Sequence, residues 1–305
     1  MFGDYSVWHE GELEVQKRAG VASKAESLAG MVRDSFPDSA RRFLADRQFA
    51  ALGSMDSQRR TWASVVAGAP GFIQAPDATT VEIKGGWSAT DPLVENISHH
   101  HDAGMLVIDF ATRRRMRANG RAELVDEGTI RLRIEQAFSN CPRYIQARVP
   151  TEVMSASGPS VQRGERLSDS QRAWIAKADT FFIATAHPEK GVDASHGGGN
   201  PGFIHVGGDR RLIIPDYNGN SLFNTLGNIQ LNPRAGLVFV DFESGRTLQL
   251  TGRAAINWDR EAASSFPGAE RLVEFDVDEV VETQRGIRLA FKFGSYSPHN
   301  PEAGK

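Results

Sequence analysis

The chain has 305 residues, of which 40% are apolar and 24% charged, and its formal net charge is −3. A chain of this length predicts two domains, each large enough to bury its own core. The small net charge provides no overall field that would favour nucleic acid or an anionic membrane. Cys141 is the only cysteine, which excludes an intramolecular disulfide and a cysteine-rich zinc site.

The sequence lacks the apolar segments that direct a protein into or across a membrane. The first residues contain no apolar stretch typical of a secretory signal peptide. No run approaches the roughly 18 consecutive apolar residues of a membrane-spanning helix. We therefore expect a cytoplasmic protein that binds neither membrane nor nucleic acid.

Several segments recur in the same order and at nearly constant spacing. Pro70–Ile73 returns as Pro201–Ile204, and the glycine-led stretch from Gly104 returns from Gly236. Chance similarity would not keep both order and spacing, so the pattern predicts an internal duplication. We expect an N-terminal domain over residues 1–153 and a C-terminal domain over residues 165–305. The Ser-, Gly- and Pro-rich segment 154–164 is the predicted linker.

Each half contains a short helix signal followed by short strands. In the first half Asp38 follows Pro37, and in the second half Ser168 and Gln171 form a capping box. The strand segments are short and separated by turn residues, without the strand–helix–strand rhythm of a parallel sheet. The sequence therefore predicts a mainly β protein with short helices, either barrel or sandwich.

A basic strand is predicted near the end of the first repeat. Arg113, Arg115 and Arg117 would share one face of an extended segment. Three cations on one face require an anion or carboxylates nearby, or they belong to a solvated edge strand. The matching strand of the second half carries Thr247, Gln249 and Thr251 instead.

Two further features of the first half are weaker. His99, His100 and His101 are consecutive, so their side chains do not converge, and we predict no metal site there. Cys141 has Arg143 nearby, which leaves open an activated thiol or a buried structural cysteine.

A glycine run in the second half allows close approach of the backbone to another group. It comprises Ser195, His196, Gly197 and Gly198, followed by Gly199. Either a flat ring or another chain segment could occupy the space beside it.

A polar loop follows the next strand. Asn218-Gly219 predicts a tight turn after Asp216, and Asn220 or Ser221 would cap a helix that ends near Gln230. Free N–H groups at such a helix start bind phosphate, although a plain capped turn has the same pattern.

Taken together, these segments resemble the pyridoxamine 5′-phosphate oxidase-like family of FMN-binding split β-barrels. The resemblance rests on the polar loop that ends in Asn232-Pro233, the strand from Gly236 to Phe242 and the strand end at residues 251–254. The runs at residues 8–12 and 140–144 resemble a subgroup with two tandem barrels.

The resemblance implies two split barrels that pair within one chain as a pseudo-dimer, with FMN in the groove between them. The C-terminal barrel would bind the cofactor through Ser195, His196, Gly197, Gly198, Asp216, Asn218, Asn220 and Ser221. Arg115 and Arg117 of the N-terminal barrel would reach across to the phosphate. No catalytic residue is assigned, and His196 is the best candidate for an acid or base.

This sequence departs from the family pattern at two cationic positions. Leu222 and Phe223 stand where the loop usually carries Arg or Lys, and Gly197 follows His196 where the subgroup often has Arg. The first half lacks both the polar loop and the glycine run, so we expect at most one flavin per chain.

The resemblance implies an FMN-dependent oxidoreductase with a small-molecule substrate. Its electron donor would be of flavin reductase or ferredoxin type, and the resemblance allows a homodimer. The alternative is a non-catalytic flavin or haem binding module that docks with a separate reductase.

Overall fold

The computed structural model describes residues 7–153 and 160–302. Short helices and long strands alternate irregularly along the chain, as expected for a mainly β protein. The helices are α1 Glu10–Arg18, α2 Ala22–Ser27, α3 Asp38–Ala45, α4 Leu93–His99, α5 Asp169–Lys177, α6 Asn224–Leu231 and α7 Arg260–Ser264, with a 3₁₀ turn at Ala29–Met31. The strands of the first half are β1 Phe49–Met55, β2 Thr61–Ala67, β3 Ile73–Gln74, β4 Thr80–Lys84, β5 Asp102–Asp109, β6 Arg114–Asp126, β7 Thr129–Ser139 and β8 Ala147–Val153. Those of the second half are β9 Val161–Gly164, β10 Thr180–His187, β11 Gly191–Gly198, β12 His205–Val206, β13 Arg211–Tyr217, β14 Arg234–Val240, β15 Thr247–Asn257, β16 Ala269–Thr283 and β17 Leu289–Ser295.

Two antiparallel sheets with the same strand order form the two halves. The first runs β2-β1-β5-β6-β7-β4-β3 and the second runs β11-β10-β14-β15-β16-β13-β12. Both orders are open, which is consistent with a split barrel in each half. The predicted fold class, mainly β with two tandem split barrels paired within one chain, is confirmed.

The three largest apolar clusters among the described residues form the cores of the molecule. One lies inside each barrel, around Leu52 and Met105 in the first and around Leu237 and Phe275 in the second. A third core, which includes Phe49, joins the outer faces of the central strands of both halves. Strands β1, β2 and β10 are buried along their whole length because both of their faces are covered.

The two sheets lie close together at one glycine in each half. A Cβ on Gly104 would lie 2.6 Å from the backbone N of Ala194, and a Cβ on Gly236 would lie 2.6 Å from the carbonyl oxygen of Thr61. Backbone atoms cannot move aside as a side chain can. Both positions therefore require glycine because of the approach of the other half.

The predicted starts of α3 and α5 are confirmed, whereas part of the predicted linker forms a strand. Ser168 and Gln171 form the predicted capping box at the start of α5, and α3 begins at Asp38 as expected. Residues 154–159 of the predicted linker lie outside the described residues. The remaining part was predicted wrongly, because Val161–Gly164 is a strand that pairs with β16. No helix in the two described ranges is long and apolar enough to cross a membrane.

Candidate functional site

A cavity of about 190 Å³ opens at the boundary between the two halves. The wall from the second half combines the end of β11, the end of β13 and the loop before α6. Strand β6 of the first half supplies two arginines. Every predicted cofactor-binding residue except Asn218 lines this cavity: Arg115, Arg117, Ser195, His196, Gly197, Gly198, Asp216, Asn220 and Ser221.

Arg115 and His196 meet across the boundary. Nη1 of Arg115 lies 3.0 Å from Nδ1 of His196. Burial lowers the pKa of His196 well below its usual value, and the charges of Arg115 and Arg148 lower it further. The ring is therefore neutral, and because a guanidinium can only donate, Nδ1 accepts and Nε2 carries the proton. That buried Nε2–H has no hydrogen-bond partner among the described residues, and neither has Nε of Arg115.

Arg117 lies deeper in the same wall and is 3% exposed. Its guanidinium forms an ion pair with Asp193 and lies 5.0 Å from the ring centre of Phe138. Burial lowers its pKa to about 9 and that of Arg115 to about 10, so both remain charged at neutral pH. The predicted basic face therefore exists at Arg115 and Arg117. Arg113 does not belong to it, because it precedes β6 with a φ of 55° and donates to the carbonyl oxygen of Ile145.

Asp216 faces the cavity with an arginine that the sequence pattern did not indicate. Burial raises the pKa of Asp216 to about 7, although Arg271 lies 3.3 Å away and opposes the rise. Arg271 comes from β16 and lies 4.9 Å from the ring centre of Phe223. A cation thus stands behind the loop in which Leu222 and Phe223 replace the basic residue typical of the family. It belongs to no local motif, so only the pairing of β13 with β16 reveals it.

The polar loop does not cap a helix as predicted. Helix α6 begins at Asn224, and its N-cap residue is Phe223, which makes no side-chain capping bond. Ser221 and Phe223 have φ values of 64° and 61°, so two non-glycine residues take the left-handed conformation within three positions. The Asn220 side chain instead accepts from the N–H of Leu222 at 3.1 Å.

Asn218 lies beside the cavity and holds a segment of the first half. Nη1 of Arg143 donates to its Oδ1 at 2.9 Å, and the hydroxyl of Tyr144 donates to its carbonyl oxygen at 2.9 Å. Tyr144 and Tyr217 stand with their ring centres 5.1 Å apart at the cavity edge. Asn218 therefore joins the two halves, and its predicted contact with the ligand stays a prediction.

The glycine run permits close contacts within the protein. A Cβ on Gly197 would lie 2.3 Å from the Phe181 ring, and one on Gly198 would lie 2.2 Å from the carbonyl oxygen of Tyr144. These contacts support the chain-contact interpretation, while both glycines also line the cavity and their predicted contact with the cofactor stays a prediction. Ser195 and His196 precede them on β11 and line the cavity.

At the corresponding position of the first half, polar side chains bond within the protein. Gln249, which matches Arg117 in the repeat, donates from Nε2 to the carbonyl oxygen of Ala63 at 2.9 Å. Ser64, which matches Ser195, donates to Asp91 at 2.5 Å. Both side chains are buried there, and the expectation of at most one flavin per chain stays a prediction.

One cluster among the described residues has the composition of a metal site. His9, Glu10 and His187 bring their ligand atoms within 4.8 Å of one another. However, Nδ1 of His9 accepts the backbone N–H groups of residues 11 and 12. Nδ1 of His187 accepts those of residues 189 and 190. Each ring then carries its proton on Nε2, and no lone pair is left for a metal. Both histidines act as caps of local backbone.

The fold and the cavity define a class: paired split barrels with a charged cavity between them. A family model described as pyridoxamine 5′-phosphate oxidase matches residues 167–292. The match lies within the C-terminal half, which is similar to the pyridoxamine 5′-phosphate oxidase-like family. No curated protein matches the chain.

Three similar solved structures each match less than half of this chain. HupZ from Group A Streptococcus is 16% identical, with 45% of this chain and 99% of that chain covered and a TM-score of 0.30. An FAD-binding protein from Mesorhizobium loti is 14% identical, with coverages of 40% and 97% and a TM-score of 0.29. A protein of the pyridoxinephosphate oxidase family from Clostridium acetobutylicum, related to general stress protein 26, is 10% identical, with coverages of 41% and 92% and a TM-score of 0.29.

Proposed function

We propose that the protein is an FMN-binding oxidoreductase that holds one flavin in the cavity between its two barrels. The observation that carries the proposal is the Arg115–His196 pair. It combines a charged guanidinium with an Nε2–H that has no partner among the described residues. A buried donor without a partner costs about 1–3 kcal/mol, so the site is complementary to an acceptor, above all an anionic one.

The phosphate of FMN would accept from Arg115 and from Nε2 of His196. Charge-assisted hydrogen bonds of this kind are stronger than neutral ones. The apolar part of the cavity, lined by Phe181, Ile183 and Phe203, would contact the ring system. The match of the C-terminal half to the pyridoxamine 5′-phosphate oxidase family model supports a flavin-type ligand, and FMN in particular is our proposal. The matching strand orders also support an origin of the two halves by duplication.

The chemistry of the proposed reaction would come from the flavin. In this site His196 is neutral with its proton on Nε2, so it can donate a hydrogen bond but is not positioned as a base through Nδ1. The remaining contribution of the protein is to bind, orient and shield the ring. A non-catalytic flavin module would use the same contacts, and the two functions differ only in whether the bound flavin turns over.

Haem is disfavoured as the ligand of His196. Coordination through Nε2 would require a proton on Nδ1, where Arg115 already donates. The contact between Arg115 and His196 therefore favours a ligand that accepts a hydrogen bond and disfavours a metal centre.

A flavin titration tests the proposal. The purified protein is titrated with FMN, FAD and riboflavin, and binding is measured from flavin fluorescence and visible absorbance. Because riboflavin lacks the phosphate, we expect its affinity to be roughly 10- to 100-fold below that of FMN. A protein that binds none of the three contradicts the proposal. Equal affinities for FMN and riboflavin would contradict the phosphate site.

A turnover assay separates the oxidoreductase from the binding module. The FMN-loaded protein is mixed with NADH and a flavin reductase, and the flavin absorbance is followed. Reduction and reoxidation of the bound flavin support an enzyme, whereas a flavin that stays oxidised supports the module.

A further inference from the structure

The N-terminal helix α1 packs on the half of the molecule to which it does not belong in sequence. It crosses α6 so closely that a Cβ on Gly11 would lie 2.2 Å from the carbonyl oxygen of Gly227. In the opposite direction, a Cβ on Gly227 would lie 2.6 Å from Cγ of Glu12. The two helix backbones are therefore in direct contact, and the loop before α6 lies next to α1.

That loop has a conformation that needs external support. Ser221 and Phe223 both have positive φ values, which residues other than glycine rarely adopt. Both residues line the cavity. A strained loop keeps such a shape only when surrounding contacts over-determine it.

Helix α1 provides these contacts. Nε2 of Gln16, which is 1% exposed, donates to the carbonyl oxygen of Leu222 at 3.1 Å. The Leu222 side chain packs with Trp8 and Phe138. One turn earlier on α1, Glu12 accepts from Nδ2 of Asn224, so the helix is bonded to the strained loop at residue 222 and directly after it at residue 224.

We propose that Gln16 is a positioning residue for the ligand loop, and that α1 acts as a clamp that sets the affinity of the cavity. The ligand part of this inference rests on the proposed function. Gln16 contacts the loop backbone and does not line the cavity, so its effect on the ligand passes through the shape of residues 221–224.

Gln16→Met tests the clamp because methionine has a similar shape and lacks the N–H donor. The control is Gln230→Ala, which removes an exposed glutamine bond to Glu14 at the same helix interface. Two quantities are measured in each protein: amide hydrogen exchange in residues 218–225 and FMN affinity.

We expect Gln16→Met to speed amide hydrogen exchange in this loop and to lower the affinity for FMN roughly five- to tenfold. Gln230→Ala should change neither quantity. Faster loop exchange with unchanged FMN affinity would overturn the proposal, and so would unchanged exchange. A uniform rise across both sheets would mean a general loss of stability and would overturn it as well. If the wild-type protein binds no flavin, the proposed function fails, and local exchange still decides whether α1 holds the loop.

Discussion

Nη1 of Arg115 and Nδ1 of His196 lie 3.0 Å apart and belong to different halves of the chain. The contact fixes the tautomer of the histidine and turns its Nε2–H into a donor. It also places a charged guanidinium at a cavity wall that the second half could not supply by itself. The two barrels therefore contribute different chemistry to one site: the first a cation and the second a neutral donor.

A double-mutant cycle on this pair tests the phosphate site. We expect Arg115→Ala to lower the affinity for FMN by roughly 10- to 100-fold and to leave the affinity for riboflavin nearly unchanged, because only FMN carries the phosphate anion. His196→Ala should lower the affinity for FMN less than Arg115→Ala does. The double variant should lose less binding free energy than the sum of the two single losses, since Arg115 fixes the histidine proton. The cycle is measured by fluorescence titration.

Arg114→Ala is the matched control for the cycle. Arg114 is the neighbouring residue on β6, is exposed, and lies over the Phe43 ring away from the cavity. If its removal weakened FMN as much as that of Arg115, the effect would be one of general charge and the site would be wrong.

The close contact at Gly198 gives a second prediction. A Cβ there would lie 2.2 Å from the carbonyl oxygen of Tyr144, a backbone atom of the other half. We expect Gly198→Ala to lower the free energy of unfolding by roughly 2 kcal/mol or more, because two backbone segments must separate. Urea unfolding followed by tryptophan fluorescence measures the change.

Gly128→Ala provides the control for that substitution. Its Cβ would meet nothing closer than Asp126 Oδ1 at 3.7 Å, and its φ lies outside the left-handed region. An equal loss of stability in both variants would mean that the contact between Gly198 and Tyr144 is not responsible.

The sequence predicted which residues line the cavity better than it predicted their contacts. Arg115, His196 and Asp216 could be found because the repeat and the family resemblance placed their segments at corresponding strand ends. Arg271 could not, since its position depends on the register of β16 against β13. The start of α6 was misplaced for a local reason, because Asn220 and Ser221 have the residue types of helix caps but are held in a strained loop by α1.

The carboxyl group of Asp216 gives a pH-dependent prediction. Burial raises its pKa from 3.8 to about 7 in the folded protein. Between pH 3.8 and about pH 7 the folded state binds more protons than the unfolded state. The contribution of Asp216 to stability is therefore complete below pH 3.8 and is lost as the pH rises through about 7. Asp216→Asn removes this titration. Between about pH 5 and about pH 8 we expect the wild type to lose roughly 2 kcal/mol more of its unfolding free energy than the variant does.

Urea unfolding of both proteins at the two pH values isolates the contribution of this carboxyl, because every other titrating group is common to them. Arg271 keeps a partner in the variant, since its Nη2 also donates to Glu270 at 2.6 Å. The sign of the difference is decisive. If the wild type gained stability relative to Asp216→Asn as the pH rose, attraction by Arg271 would outweigh burial, and the carboxylate would be ionised at neutral pH beside the proposed phosphate.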